Sequence, residues 1–191
     1  MKPIALMWKK LISFVTPPKD LDSVKGPAFL IKIGPYKLQV IPAKVKDAAQ
    51  AIMLEQQIYD DLPWNEYTFR TEFAKKSALY YGLYDHGSMV GLVGLRVKND
   101  EAHITNIMVN PNYQSQGIGH FLLDLIIDKA KLLNCSLVSL EVRKDNDRAI
   151  RLYEQYGFKK YRVRKRYYQN IGVDGITMIL PIRKKKQIGR R

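Results

Sequence analysis

The stretch Gln114–Gly119, QSQGIG, stands where an apolar extended run ending at Val109 gives way to a long helical pattern. Glycine costs up to ~1 kcal/mol relative to alanine inside a helix, so Gly117 and Gly119 at a helix start need a physical purpose. The first turn of a helix carries unpaired backbone N–H groups and the positive end of the macrodipole. Glycines there let a bulky ligand approach the main chain, and successive N–H groups can surround a phosphate or pyrophosphate. The chemistry this spacing suits is anion binding; a tight strand-to-helix connection without a ligand satisfies the same spacing. Two other nucleotide motifs are excluded. The third glycine of the dinucleotide fingerprint is replaced by Leu122, and the Gly-Lys-Ser or Gly-Lys-Thr ending of a P-loop is absent.

Further downstream, SLEVR and AIRLYEQYGF contain two more groups able to do chemistry, Glu141 and Tyr153. Strand alternation puts Leu137, Ser139 and Glu141 on one face and Val138, Leu140 and Val142 on the other, so Glu141 can project into a cleft. A solvated carboxylate near a strand end fits the same pattern. Tyr153 reads either as a neutral proton donor or as one more aromatic on an amphipathic helix beside Ala149, Leu152 and Tyr156. Lone Cys135 cannot form an internal disulfide and reads as a small buried apolar residue, which points to a reducing, cytoplasmic setting. The three histidines are widely separated, so no metal cage is expected; His86, in a turn, and His103, in a strand, read as structural.

The elements that must position these groups follow from periodicity. A chain of 191 residues suits one well-buried domain. YKLQVI reads as a strand, VKDAAQAIMLEQQIYDD and NEYTFRTEFAKK as helices, and ALYYGLYD, SMVGLVGLRVK and EAHITNIMV as an antiparallel meander. In the helix predicted over 117–133, Ile118, Phe121, Leu122, Leu125, Ile126, Leu132 and Leu133 form one apolar stripe that can hold it against a sheet. A strand 136–143, a helix ended by Gly157 and strands near 158–168 and 175–181 complete the chain. Strand, crossover helix and strand imply a parallel pair, so the class is α/β, one mixed sheet with helices on its faces. Residues 1–35 read as an N-terminal extension and linker, 36–182 as the compact domain and 183–191 as a basic tail. The extension has neither a signal-peptide pattern nor the length of a transmembrane segment.

The formal net charge of +14 is carried by the ends: +4 in residues 1–35, −1 in 36–158 and +11 in 159–191. Such ends suit a polyanion such as RNA, or serve only as solubilising termini.

QSQGIG matches the Q/R-x-x-G-x-G/A coenzyme A signature of the GNAT acetyltransferases, placed between a strand ending NIMVNP and an apolar helix. The segment from LEVRKDNDRAIRLYEQYGF to MILPI, with DLPWNEYTF upstream, resembles the RimI-like bacterial N-terminal acetyltransferases over about Tyr36 to Ile182. The resemblance implies the GNAT fold, a mixed, mostly antiparallel sheet with helices on both faces and a parallel pair splayed at the coenzyme A site. It implies acetyl-CoA as cosubstrate, without a metal. The pyrophosphate would sit on Ser115, Gln116, Gly117, Ile118, Gly119 and His120, the pantetheine arm on the backbone of Ile107, Met108 and Val109, and Asn146 would contact the coenzyme. Glu141 takes the position of the base and Tyr153 that of the acid. Ser115 and His120 stand where close relatives often have Arg or Lys, so phosphate binding is expected to lean on the backbone.

The same resemblance points to a protein N-terminus as acceptor, the N-terminal alanine of a small-subunit ribosomal protein. Asp60, Asp61, Glu66 and Asp145 are acidic groups that suit a basic peptide, and Trp64, Tyr67 and Phe69, with Tyr167 and Tyr168, read equally as groove walls or packing. Two other readings stay open: an acetyltransferase acting on a small amine or a lysine side chain, and a non-enzymatic ribosome- or RNA-associated module using the basic ends.

Overall fold

The computed structural model describes residues 20–59 and 64–182. A short helix α1 (Asp22–Lys25) precedes strands β1 (Phe29–Ile33) and β2 (Tyr36–Pro42). Helices α2 (Ala48–Gln56) and α3 (Glu66–Phe73) lead to the meander β3 (Ala78–Asp85), β4 (Ser88–Lys98) and β5 (Glu101–Val109). Helix α4 (Ile118–Leu132) crosses to β6 (Leu137–Arg143), and α5 (Asp147–Gln155) leads to β7 (Lys159–Tyr168) and β8 (Val173–Pro181). The strands form one sheet in the order β1-β2-β3-β4-β5-β6-β8-β7, and every described pair is antiparallel except β5 with β6. The α/β class and the mixed sheet read from the sequence are both present.

Local chemistry sets the helix ends. Helix α4 starts after Gly117, whose φ of 90° lies in the left-handed region that a side chain makes costly. Asn65 caps α3 by accepting from the Thr68 N–H at 2.8 Å, and Asn146 caps α5 by accepting from the Ala149 N–H at 3.1 Å. Ile118, Leu122, Leu123, Ile126, Ile127 and Ala130 of α4 pack with Val138, Leu140 and Val142 of β6 and Ile150 of α5 in the main core. A second core joins Ala51 and Leu54 of α2, Phe69 of α3, Tyr80 of β3 and Met108 of β5. The stripe predicted for α4 is thus partly revised. Leu132 is 55% exposed, because a 3.6-residue period carries the buried face through 123, 127 and 130 instead.

The fold also begins earlier than Tyr36. β1 pairs antiparallel with β2, Leu21 is buried, and the Tyr81 hydroxyl donates to the Lys25 carbonyl at 2.7 Å. Residues 21–33, read from the sequence as extension and linker, are therefore packed against the body. Of the prolines and glycines that suggested a linker, Gly26 and Pro27 lie between α1 and β1. The expected helix near residues 1–15, the 183–191 tail, and Asp60 and Asp61 lie outside the described residues.

One irregularity organises the middle of the sheet. Between Gly94 and Leu95 of β4 the partner on β5 steps from Asn106 to Ile104, leaving Thr105 as a bulge. The extra residue swaps faces: Ala102 and Ile104 belong to the main core, whereas Met108 belongs to the second. Pairing of β5 with β6 runs from Glu101↔Leu137 to Ile104↔Leu140 and ends there. Gly94 makes room for the Tyr80 ring, whose hydroxyl bonds Thr105 Oγ1 at 2.7 Å and so pins the bulge. Beside it, Glu55 of α2 is buried and accepts from the Trp64 main-chain N–H at 3.2 Å; burial pushes its carboxyl up to about 7.

Two outcomes follow. In Gly94→Ala the added Cβ would lie 2.0 Å from Tyr80 Cε1, so urea denaturation should show a loss of about 1–3 kcal/mol; an unchanged midpoint would show that the ring does not need this seat. The raised carboxyl of Glu55 stabilises the fold most when protonated, and that contribution is lost as pH climbs from the unfolded value through about 7. Glu55→Gln should therefore gain on the order of 1–3 kcal/mol relative to wild type between pH 5 and pH 8. Equal differences at both pH values would contradict it.

Candidate active site

Where β5 leaves β6, two cavities meet. The larger, about 870 Å³, runs along Ile107, Met108 and Val109 of β5 to the QSQGIG loop, with Ser115, Gly117, Gly119 and His120 on its wall. The smaller, about 380 Å³, extends to His103, Glu141, Trp64, Tyr167 and Tyr168. Ile107, Met108, Asn146 and Tyr153 line both. Among the described residues β5 has no strand partner on its β6 side beyond Ile104, so its main-chain groups there face this opening.

The loop is held by polar cross-links. The Gln114 side chain donates to the Val109 carbonyl at 2.9 Å and accepts from Arg148 Nη1 at 2.7 Å. Arg148 Nη2 also donates to Ser115 Oγ at 3.2 Å, and Ser115 itself has a φ of 61°. Of the loop residues named from the sequence, Ile118 points away into the core and Gln116 is exposed and does not line either cavity. Ile118 can offer only its backbone to a ligand. With Ser and His at positions 115 and 120, the cavity draws the positive charge of Arg148 and Arg151 from the opposite helix, α5. Asn146 is on the wall, but its side-chain oxygen is committed to capping α5.

Glu141 is 13% exposed and its carboxylate is gripped from three strands. His103 Nε2 of β5 lies 3.0 Å from Oε2, Arg164 Nη1 of β7 donates to Oε1 at 3.2 Å, and Thr177 Oγ1 of β8 donates to Oε1 at 3.3 Å. The hydrogen bond from His103, joined by Arg164, holds the carboxyl below its usual range against the opposite pull of burial. Tyr153 is 8% exposed, its ring lies 5.8 Å from that of Phe158, and burial pushes its hydroxyl up, so it stays a neutral phenol. A carboxylate acceptor and a phenol donor thus stand on the same opening, the arrangement that general acid–base transfer requires.

Other sequence expectations divide. Trp64 lines the smaller cavity, Phe69 is fully buried beneath it with ring centroids 5.0 Å apart, and Tyr67 is 77% exposed. Glu66 and Asp145 are paired within the chain, with Arg70 at 3.1 Å and Arg143 at 2.8 Å. Cys135 is buried, as its apolar reading implied. Tyr167 lines the smaller cavity and stacks on Arg164 at 4.2 Å. His103 is the principal residue that sequence reasoning missed: its partnership with Glu141 depends on the β5–β6 register, which places His103 opposite Ser139. Arg148 was legible only as the residue two positions beyond the cap of α5.

The model of the acetyltransferase (GNAT) family matches residues 48–158 of this chain. N-alpha-acetyltransferase RimI of Mycobacterium tuberculosis is 38% identical over 137 residues, covering 69% of this chain and 85% of that protein. The [ribosomal protein bS18]-alanine N-acetyltransferase of Escherichia coli K12 is 37% identical over 138 residues, covering 71% of this chain and 92% of that protein. The crystal structure of the ribosomal-protein-S18-alanine N-acetyltransferase from Escherichia coli matches with a TM-score of 0.72 at 33% identity, over 81% of this chain and 99% of that one. With the fold, the splayed parallel pair and the family match in agreement, the chain belongs to the GNAT acetyltransferase family and is an acyltransferase that uses acetyl-CoA.

Proposed function

We propose that this enzyme transfers acetyl to the α-amine of a protein N-terminus, and that its acceptor in the cytoplasm is the N-terminal alanine of a small-subunit ribosomal protein. The observation that carries the reading is that Glu141 and Tyr153 both line the smaller cavity and Tyr153 lines the larger one as well. The relatives at 37–38% identity, an N-alpha-acetyltransferase and a [ribosomal protein bS18]-alanine N-acetyltransferase, support the choice of acceptor.

The larger cavity suits the donor. Arg148 and Arg151 and the start of α4 offer positive charge to its phosphates, and the unpartnered side of Ile107–Val109 can take the pantetheine amides as an added strand would. Acetyl-CoA supplies the thioester. The acceptor enters the smaller cavity between Trp64, Tyr167 and Tyr168. An α-amine has a pKa of ~7.7–8.0, so a modest fraction is neutral at physiological pH. Its nitrogen attacks the thioester carbonyl, Glu141 takes the surplus proton directly or through water, and Tyr153 protonates the departing thiolate. Because Arg164 already occupies Glu141 Oε1, an incoming ammonium competes with a guanidinium for the same oxygen. β7, exposed over nearly its whole length and rich in Lys and Arg, supports contact of the basic ends with ribosomal RNA around the acceptor.

Thioester consumption with an Ala-starting basic peptide, run beside an N-terminally blocked peptide containing lysine, tests the acceptor. Turnover should occur on the free terminus alone; equal turnover of the blocked peptide would favour lysine transfer. Glu141→Gln and Tyr153→Phe should each lower kcat by about 10²–10⁴-fold. Arg148→Ala should raise the KM for acetyl-CoA by roughly 10-fold or more with kcat little changed, the loss expected of one charge-assisted contact; an unchanged KM would remove Arg148 from donor binding.

A further inference from the structure

A chain of hydrogen bonds runs from the buried side of Glu141 to the protein surface. His103 Nε2 faces Glu141 Oε2 at 3.0 Å, His103 Nδ1 faces Ser139 Oγ at 2.9 Å, and Ser139 Oγ donates in a short contact to Oε1 of the exposed Glu101. Donor counting fixes the protons. An ionised Glu101 can only accept, so the single hydroxyl proton of Ser139 goes to it. Ser139 Oγ must then accept from His103, which places a proton on Nδ1. An ionised Glu141 can likewise only accept, which places a second proton on Nε2. The arrangement that satisfies every atom has His103 donating from both ring nitrogens, toward one carboxylate directly and toward the other through a buried serine.

We infer that Glu101, Ser139 and His103 form a positioning relay for Glu141: the exposed carboxylate orients the imidazole through Ser139, and the imidazole orients Glu141 and keeps it ionised. The inference rests on the reading of Glu141 as the base. Ser139 is 2% exposed, and a hydroxyl buried in a sheet costs free energy unless both its hydrogen-bonding roles are used, as they are here. The register makes the relay possible, since Glu101 and His103 lie on β5 opposite Leu137 and Ser139 of β6, within the four residue pairs that precede the divergence. Other charged or titratable groups facing the pair are Arg164, Tyr167 and Tyr168 of β7, Arg143 of β6, and Arg96 of β4, which lies opposite His103 and is paired with Glu72.

The relay gives two independent readouts. In protein carrying 13C-labelled glutamate, with the Glu141 signal assigned by its loss in Glu141→Gln, the Glu141 carboxyl should titrate at higher pH in His103→Ala than in wild type, because its hydrogen-bonding partner is gone. In kinetics with the Ala-starting peptide, His103→Ala should lower kcat by about 10-fold or more while the KM for acetyl-CoA holds. His103→Gln, whose amide N–H can still reach Glu141, should recover most of that kcat at pH 8 but keep the displaced titration. Glu101→Gln, at an exposed position where folding is not at risk, should lower kcat several-fold on its own and add nothing to His103→Ala, since both act through one chain. A Glu141 titration unmoved in His103→Ala, or a Glu101→Gln loss that adds in full, would overturn the relay. Wild-type activity in Glu141→Gln would instead overturn the base assignment, leaving the titration result to decide the relay separately.

Discussion

The structure depends on a failure of strand pairing. β5 and β6 run together in parallel for four residue pairs and then part, so that a mixed sheet which would otherwise be continuous acquires an opening near its centre. The parting coincides with the bulge at Thr105, and the bulge is secured by a phenol that reaches from β3 across Gly94. Main-chain groups left without a strand partner in a covered sheet are costly unless a ligand or water meets them. An extended amide-bearing ligand is the natural occupant, and both cavities open at this point.

Charge is distributed around the opening by different elements. The loop before α4 contributes backbone N–H groups and the helix terminus, while the guanidinium groups of Arg148 and Arg151 come from α5 across the cavity. Arg148 also ties down Gln114 and Ser115, so the residue that brings charge to the larger cavity also orders the loop on its wall. Around the smaller cavity, Glu141 is held by His103 and Arg164 strongly enough to offset the effect of burial, and Tyr153 is shifted toward the neutral form chiefly by burial, with Tyr59 and Tyr168 adding to it. Two groups on one opening are thereby kept in opposite protonation states by different physical causes, which is the general condition for an acid and a base to coexist near neutral pH.

Much of this was legible in the chain itself. The three meander strands were predicted with the bounds they have, because alternation and two-residue turns at His86-Gly87 and Asn99-Asp100 are local signals. The glycine loop, the α4 helix and the parallel crossover followed from short-range pattern as well. Misjudged features were those in which distant residues decide the outcome: β1 was assigned to a linker because its partner β2 and the Tyr81 hydroxyl are not visible from its own composition.

The amino-acid sequence by itself determined the class of fold, the order of its elements, and the residue types at the loop, at Glu141 and at Tyr153, since each depends on periodicity or on spacing within a few tens of residues. Tertiary structure alone decided where β5 leaves β6, that positive charge comes from α5, and that His103 rather than solvent faces Glu141. The physical reason is common to all three. Each rests on register between strands or on the approach of two elements, and a bulge of one residue at Thr105 is enough to change which side chains share a face.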